Sequence, residues 1–264
     1  MSNIPLISVV MSSFNDEDTI TAAINSILSQ TENRFEFLII DDNSNDNSYE
    51  ILLKFARSDQ RIVLLPRFSS NVGLAKCMNF AISKCNTQFI ARMDADDISH
   101  PKRLHEEFNF LKSHPEIDVV GSNAILIDKQ GSSIGVTNLP TTHSDIEKSI
   151  FRQCPFVHPS VMFRLSFIEN AGFYDPSLKK KQDYDLWFRT YKISKFANIA
   201  KPLLDYRVKK YKPLKTDLYG FYIRALNSYR QKMIVKGIFW AVVILSLNLL
   251  KRFGYKARSI SKDG

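Results

Sequence analysis

The chain has 264 residues, 44% of them hydrophobic, and a formal net charge of +9. This length and composition allow a large buried core, which excludes a disordered chain and favours an α/β domain, alone or with an appendage. Three cysteines without a Cys-x-x-Cys pair argue against a disulfide framework and a zinc ribbon. With no basic start typical of a signal peptide, the sequence predicts a cytoplasmic protein.

The positive charge is concentrated in the last third of the chain. Residues 1–175 contain 15 Lys and Arg against 22 Asp and Glu, whereas residues 176–264 contain 21 against 5. Within this basic region, residues 237–250 form an apolar run that is shorter than the roughly 20 residues a bilayer-spanning helix needs. The pattern predicts a basic amphipathic helical tail on an anionic membrane surface. It does not favour nucleic acid, since an apolar run makes no phosphate contact. The alternative is a helix packed on the domain or on a partner subunit, as in a homo-oligomer.

Residues 6–97 alternate between predicted strands and predicted helices. The strand candidates are apolar runs bounded by polar clusters, at 6–11, 35–40, 61–65 and 89–93. Apolar residues recur at helical spacing at about 16–28, where residues 16–18 give an acidic first turn, and at 48–58 and 73–85. This alternation predicts a mostly parallel sheet with crossover helices, whose ligands bind beyond the carboxyl ends of the strands.

Polar residues follow three of these predicted strands. Asn15, Asp42 and the pair Asp94 and Asp96 each come just after an apolar run. Because the carboxyl ends of parallel strands meet at one edge, we expect these side chains to line a single rim.

The Asp94-Ala95-Asp96-Asp97 sequence has the chemistry of a metal site. Carboxylates at i and i+2 of an extended chain point to the same side, and they share a hard cation such as Mg²⁺ or Mn²⁺. That cation could then hold a diphosphate. The alternative interpretation is that these residues turn the chain and cap the helix predicted near Pro101.

The second half of the chain is less regular. It predicts a helix at 102–114, strands at 118–122 and 124–127, a turn at 128–131 and a strand at 133–136 that completes a hairpin. A strand at 158–164, a short helix at 165–170 and the start of a helix with an acidic N-terminus within 179–189 follow. Here the parallel pattern gives way to antiparallel pieces.

Five motifs in order resemble those of glycosyltransferase family 2, the inverting nucleotide-sugar transferases of GT-A fold. They lie at 7–15, at 39–46, at 71–75 with Asn79, at 93–97 followed by Pro101, Arg103 and Leu104, and at 182–189. The resemblance covers about residues 5–207. It implies a Rossmann-like, mostly parallel sheet with a smaller antiparallel sheet on the acceptor side. The domain would span 1–208, with a nucleotide-binding half at 1–100 and an acceptor half at 101–208, followed by the basic tail at 209–264.

The resemblance also implies a set of donor-binding residues: Ser12, Phe14, Asn15, Asp42, Asn71, Asp94 and Asp96. Asp42 would accept a hydrogen bond from N3–H of uracil, a group that cytosine lacks. Phe14 and Asn15 would shape the base pocket. Asp94 would lie near the ribose and the metal, and Asp96 would ligate the metal, with Asp97 as a further helper.

Asp183 matches the position of the family's general base, which would take a proton from the acceptor hydroxyl. The alternative for Asp183 is an ordinary helix N-cap, while Asp185 would support the start of the helix. Two positions depart from the family pattern, since Gln182 stands where Glu is frequent and Lys209 where His is frequent.

The function implied is transfer of a hexose or N-acetylhexosamine from a UDP-sugar to a saccharide or lipid-linked oligosaccharide. This predicts a metal-dependent hexosyltransferase of bacterial surface polysaccharide synthesis, peripheral on the inner face of the cytoplasmic membrane. The alternatives are a phosphatase or nucleotidyltransferase that uses the Asp-x-Asp site, or a non-catalytic membrane scaffold.

Overall fold

A computed structural model of the protein describes residues 4–208 and contains nine strands and seven α-helices in that range. The strands are β1 (Ile7–Ser13), β2 (Phe35–Asp41), β3 (Ile62–Leu64), β4 (Phe89–Asp94), β5 (Ile98–Ser99), β6 (Val119–Ile127), β7 (Ser133–Val136), β8 (Met162–Arg164) and β9 (Phe196–Arg207). The helices are α1 (Ile20–Leu28), α2 (Ser48–Ser58), α3 (Leu74–Ile82), α4 (Arg103–Ser113), α5 (His143–Ser149), α6 (Leu165–Asn170) and α7 (Gln182–Thr190). A 3₁₀ helix spans His158–Ser160.

The nine strands form one sheet in the order β3-β2-β1-β4-β8-β6-β9-β5, with β7 beside β6. Strands β1 to β4 run parallel, as the alternation of strands and helices predicts. Strand β8 pairs antiparallel with both β4 and β6, and β9 runs parallel to β6. The antiparallel strands therefore extend the parallel sheet rather than forming the separate, smaller sheet that we expected, because β8 hydrogen-bonds directly to β4.

The central parallel strands β1, β2 and β4 are mostly buried on both faces, which explains their nearly continuous apolar sequences. Val9 and Met11 of β1 belong to one core cluster with Ile20 and Ile24 of α1, whereas α3 also lies against β1. Residues 4–150 and 154–208 form one compact unit. This core holds the carboxyl ends of the parallel strands in fixed positions, and the candidate site lies at these ends.

Three elements were not predicted: β5, α5 and β9. Strand β9 is interrupted at Pro202, where its register with β6 shifts, so its alternation is hard to detect. The strand predicted at 158–164 begins only at Met162, because Pro159 has no N–H for a ladder and favours the preceding 3₁₀ turn. Helix α1 begins at Ile20 and has no acidic residue in its first turn, so residues 16–18 precede the helix instead of forming that turn as predicted.

The predicted membrane-associating tail, including the helix at 237–250, lies outside the described residues. Within residues 4–208, no helix has both the length and the apolar character that crossing a bilayer requires.

Candidate active site

Three neighbouring strands bring the predicted donor-binding residues to one edge of the sheet. In the register of β1 and β4, Ser12 lies opposite Asp94, and in the register of β1 and β2, Ser13 lies opposite Asp41. The N–H of Asp42 donates to the carbonyl of Ser13 at 2.8 Å, which continues the pairing one residue beyond β2. The rim predicted from the sequence is thus a consequence of parallel strand register.

Asp42 is buried and its carboxylate organises the loop before α3. Its Oδ1 accepts from the backbone N–H of Val72 and its Oδ2 from that of Gly73, both at 2.8 Å, while Asn71 Nδ2 donates to the Asp42 carbonyl at 3.2 Å. Gly73 has φ of +87°, a left-handed conformation that favours glycine. A carboxylate oxygen can accept two hydrogen bonds, so these backbone contacts do not exhaust the acceptor capacity of Asp42.

Arg67, which the sequence analysis missed, supports the neighbouring Asp41. Its Nε lies 3.1 Å from Oδ2 of the fully buried Asp41, and its Nη2 donates to the Ser44 carbonyl at 3.0 Å. The guanidinium also lies 4.4 Å from the centre of the Tyr49 ring. Arg67 therefore fixes the loop that presents Asp42, although nothing in the local sequence marks it out.

Phe14 and Asn15 occupy the loop after β1. Asn15 has φ of +57°, its N–H donates to Ser44 Oγ at 3.0 Å, and its Oδ1 accepts from the N–H of Asn45 at 2.8 Å. Phe14 is 42% exposed, which leaves apolar surface beside this loop. The two residues predicted to shape a base pocket therefore lie next to the segment that follows Asp42.

Asp94, Asp96 and Asp97 lie at the end of β4 with one carboxylate oxygen from each within 4.8 Å of the others. Asp97 is buried; its Oδ1 accepts from the N–H of Arg207 at 2.7 Å, and its Oδ2 has no hydrogen-bond partner among the residues that the structure describes. Burial and the charge of Asp94 raise the pKa of the Asp97 carboxyl well above its ordinary value. A divalent cation would offset the burial of the Asp97 charge and its repulsion from Asp94, so the three oxygen donors fit Mg²⁺ or Mn²⁺.

The alternative role of this acidic run, as a helix cap, is not seen. Helix α4 begins at Arg103, its N-cap position is Lys102, and no side chain caps it. Asp97, which we expected only to assist, is instead part of the carboxylate cluster.

Arg92, a second residue that the sequence analysis missed, lies inside β4 two positions before Asp94. It is 1% exposed, and its Nη2 makes a short salt bridge with Asp94 Oδ1. Its carbonyl accepts from Nη2 of the buried Arg103 at 2.8 Å, and Nη1 of the same Arg103 donates to the Pro159 carbonyl at 2.8 Å. A charged residue within an apolar strand was the only sequence signal for Arg92.

Asp183 is the second residue of α7. Its Oδ2 lies 3.7 Å from Cys154 Sγ. Burial raises the pKa of the Asp183 carboxyl, while the positive charges of Arg92 and Lys181 oppose the increase. The N-cap position is Lys181, so Asp183 is not the N-cap that we considered as an alternative. Asp185 instead pairs with Arg189 Nε at 2.7 Å within the helix.

Tyr174 is a buried tyrosine between α6 and α7 that pairs with His158. His158 Nε2 lies 2.9 Å from the hydroxyl of Tyr174, whose backbone is held by two hydrogen bonds to the Asn79 side chain at 2.9 and 3.0 Å. Burial raises the pKa of Tyr174, and the charges of Asp183 and Asp94 add to this effect. Burial also raises the pKa of Tyr206, and the charges of Asp94, Asp97 and Asp183 add to this effect. The charges of Asp183 and Asp94 therefore both act on these two tyrosines.

Comparison with known proteins identifies the chain. The family model described as glycosyl transferase family 2 matches residues 8–172. The chain belongs to glycosyltransferase family 2. The resemblance carried by its five motifs is therefore confirmed, and the protein is a glycosyltransferase.

Relatives share most of the length of this glycosyltransferase. An uncharacterized glycosyltransferase of Methanocaldococcus jannaschii is 32% identical over 254 residues, which is 92% of this chain and 87% of the relative. The O-antigen biosynthesis glycosyltransferase WbnJ of Escherichia coli is 31% identical over 234 residues, covering 86% of this chain and 88% of WbnJ.

Solved structures confirm the fold. TarS of S. aureus, residues 1–349 in complex with UDP-GlcNAc, aligns with a TM-score of 0.68 at 17% identity, covering 95% of this chain and 73% of that 1–349 chain. At that identity the similarity concerns the fold alone. The glycosyltransferase described here thus has a mixed α/β fold that resembles the GT-A fold.

Proposed function

We propose that the protein is an inverting glycosyltransferase that moves a hexose or N-acetylhexosamine from a UDP-sugar to a hydroxyl of a saccharide or lipid-linked acceptor. The observation that carries this proposal is the set formed by three clustered carboxylates after β4, the buried Asp42 just beyond β2, and Asp183 on α7, whose charge acts with that of Asp94 on Tyr174 and Tyr206. A phosphatase or a scaffold would need neither Asp42 nor Asp183.

Asp42 and its loop support a uridine donor. The Asp42 carboxylate is fixed by the amides of Val72 and Gly73, and its remaining acceptor sites match the N3–H donor of uracil. The exposed ring of Phe14 offers a surface for an aromatic base. TarS, whose fold is similar, was crystallised with UDP-GlcNAc, which is consistent with this donor class.

The carboxylates of Asp94, Asp96 and Asp97 would hold the divalent cation that the donor diphosphate requires. When bound, Mg²⁺ or Mn²⁺ neutralises charge on the departing nucleoside diphosphate. Arg92 holds Asp94, and the N–H of Arg207 holds Asp97, so two of the three ligands are fixed before any cation binds.

Asp183 would act as the general base. Its carboxylate takes the proton of the acceptor hydroxyl while that oxygen forms a bond to C1 of the sugar and the bond from C1 to the diphosphate oxygen breaks. Attack from the face opposite the leaving group inverts the anomeric centre. A carboxyl pKa raised by burial suits this role, because a stronger base accepts the proton more readily near neutral pH.

The acceptor would be a growing surface glycan in a bacterium. WbnJ is named for O-antigen biosynthesis, and residues 209–264 carry the basic and apolar pattern of a segment that lies on an anionic membrane. We therefore propose that the enzyme works on the inner face of the cytoplasmic membrane. Deletion of residues 230–264 would move it to the soluble fraction, and an unchanged distribution would reject this location.

A donor panel tests the function. Purified enzyme is incubated with UDP-galactose, UDP-glucose, UDP-N-acetylglucosamine and one GDP-sugar, with Mn²⁺, with Mg²⁺ or with EDTA, and nucleotide release is measured. We expect release of UDP from at least one UDP-sugar, lost in EDTA. Turnover of the GDP-sugar alone would overturn the assignment of uridine, and release of phosphate from a phosphomonoester without any sugar-nucleotide turnover would favour a phosphatase.

A further inference from the structure

The loops that follow β1 and β2 are bound to each other by side chains in both directions. We call residues 14–19, which join β1 to α1, the β1 loop, and residues 42–47, which join β2 to α2, the β2 loop. Phe14 and Asn15, which would shape the base pocket, lie in the β1 loop, and Asp42 begins the β2 loop. The way in which the two loops are joined therefore bears on the shape of the donor site.

Three successive backbone N–H groups of the β1 loop donate to side chains that follow β2. The donors are the N–H groups of Asn15, Asp16 and Glu17, and the acceptors are Ser44 Oγ at 3.0 Å, Ser48 Oγ at 2.8 Å and Asp46 Oδ2 at 3.1 Å, respectively. Ser48 is the first residue of α2, and both serines are buried. These contacts therefore fix the backbone of the β1 loop relative to the β2 loop and to α2.

The β1 loop also supplies acceptors for the β2 loop. Asn15 Oδ1 accepts from the N–H of Asn45 at 2.8 Å. Glu17 Oε2 accepts from both the N–H and the Nδ2 of Asn47, at 3.0 and 2.7 Å. Glu17 therefore binds the β2 loop in two ways, as a donor through its backbone and as an acceptor through its carboxylate. We call the contacts of Glu17 with Asp46 and Asn47 the loop clasp.

Each loop contains one asparagine with a left-handed backbone. Asn15, directly after Phe14, has φ of +57°, and Asn43, directly after Asp42, has φ of +64°. Residues other than glycine seldom adopt this conformation, and it persists where the surroundings impose it, often at functional sites. The contacts between the loops hold the turn at Asn15, and Arg67 Nη2, 3.2 Å from Asn43 Oδ1, holds the turn at Asn43. Both turns are thus set before any ligand binds.

The ring of Phe14 is positioned by these hydrogen bonds more than by packing. Because it is 42% exposed, the core covers only part of it. The N–H of Phe14 donates to Asp16 Oδ2 at 2.9 Å, and the backbone of Asp16 and of Glu17 is bound to the segment after β2. A ring that is already held in place loses less conformational entropy when a ligand binds. The loop clasp therefore supports a surface on which a base can stack.

We propose that Glu17 is a positioning residue for the donor base: by binding Asp46 and Asn47 it locks the β1 loop onto the β2 loop, and thereby fixes the ring of Phe14. The inference rests on the function proposed above, in which Phe14 and Asp42 bind uracil. Glu17 acts through Phe14 and not on the reacting atoms. Its loss should weaken binding of the base and leave the chemical step unchanged.

Two ligands separate binding of the base from binding of the diphosphate. UDP carries both, whereas inorganic pyrophosphate carries no base, and the affinity of the full-length protein for each is measured by calorimetry in Mg²⁺. In Glu17→Ala we expect affinity for UDP to fall roughly 3- to 10-fold, a modest loss because the carboxylate is exposed, and affinity for pyrophosphate to stay within about twofold of wild type. With a UDP-sugar, KM should rise by the same factor as the UDP affinity falls, and kcat should not change.

Three further variants test the route of the effect. Glu17→Gln keeps an oxygen acceptor for Asn47 and should bind UDP nearly as tightly as wild type. In a Phe14→Ala background, Glu17→Ala should cause no further loss of UDP affinity, since the ring through which it acts is gone. Glu106→Ala is the matched control: its carboxylate lies 2.9 Å from Lys201 Nζ and joins α4 to β9, so its loss should leave both affinities unchanged.

Glu17→Ala that binds UDP as tightly as wild type would overturn the role of Glu17 and leave the proposed function intact. An equal loss of affinity for UDP and for pyrophosphate would overturn it too, because it would show a general change of the site. Full additivity of Glu17→Ala and Phe14→Ala would contradict the route through Phe14. Wild-type protein that binds neither ligand would reject the proposed function, and the role of Glu17 with it.

Discussion

The two sides of the candidate site are held in place by different kinds of contact. On the donor side, Asp42 and Asn15 are fixed mainly by backbone groups of nearby loops. On the base side, Asp183 and His158 contact side chains, Cys154 and Tyr174, that come from separate parts of the chain. The donor side is therefore organised by loop geometry, whereas the base side depends on contacts between side chains that are separated in sequence. Changes on the two sides should affect different kinetic parameters.

The largest effect is expected at Asp96, in the carboxylate cluster. Asp96→Ala removes one of three clustered carboxylates. Because the transition state would then lose several kcal/mol of stabilisation by the cation, turnover should fall about 10³-fold or more. The measurement is UDP release in saturating Mn²⁺. Asp145→Ala, an exposed acidic residue on α5, is the control and should keep wild-type turnover.

A change confined to the donor side should act mainly on donor binding. Asp42→Ala removes the charged acceptor proposed for the N3–H of uracil, and it also leaves the amides of Val72 and Gly73 without theirs. Loss of the hydrogen bond to the base should cost about 1.5–3 kcal/mol of donor binding, so KM for the donor should rise roughly 10- to 100-fold. The fall in kcat should be smaller. The KM of Asp42→Asn, which keeps one oxygen acceptor, should lie between those of wild type and Asp42→Ala. A fall in kcat with unchanged KM would contradict the assignment of Asp42 to donor binding.

The smallest effect concerns the buried pair beneath the base side, Arg103 and Glu107. Both are fully buried, 3.5 Å apart, and burial raises the pKa of Glu107 to about 8. Because this folded-state pKa is above the ordinary value, the stability that protonated Glu107 contributes is present at acidic pH and lost as the pH rises towards 8. The free energy of unfolding should fall by up to a few kcal/mol between pH 5 and 8.5.

Glu107→Gln isolates this contribution. Its amide does not ionise, so its free energy of unfolding, measured by urea titration, should depend less on pH than that of wild type over the same interval. An identical pH dependence in the two proteins would show that Glu107 remains ionised at acidic pH through its pairing with Arg103.

The same contrast explains what the sequence could predict. The parallel strands and the acidic residues at their ends follow from short-range pattern, and the structure brings Ser12, Asp42 and Asp94 to one rim as expected. Arg67 and Arg92 were missed because their roles depend on ion pairs, with Asp41 and Asp94, that the hydrophobic pattern of the sequence does not reveal. The 3₁₀ turn at His158 was taken for strand, since a short apolar run containing Pro is ambiguous by periodicity alone.

The central claim is that carboxylates from separate segments form one site with divided roles. Asp183→Asn tests it most directly when donor affinity and transfer are measured on the same protein, by calorimetry with a UDP-sugar and Mn²⁺ and by single-turnover transfer to the acceptor. The account predicts affinity within about twofold of wild type and transfer slower by about 10²- to 10⁴-fold. Transfer at the wild-type rate by Asp183→Asn, or loss of donor affinity that matches its loss of transfer, would contradict it.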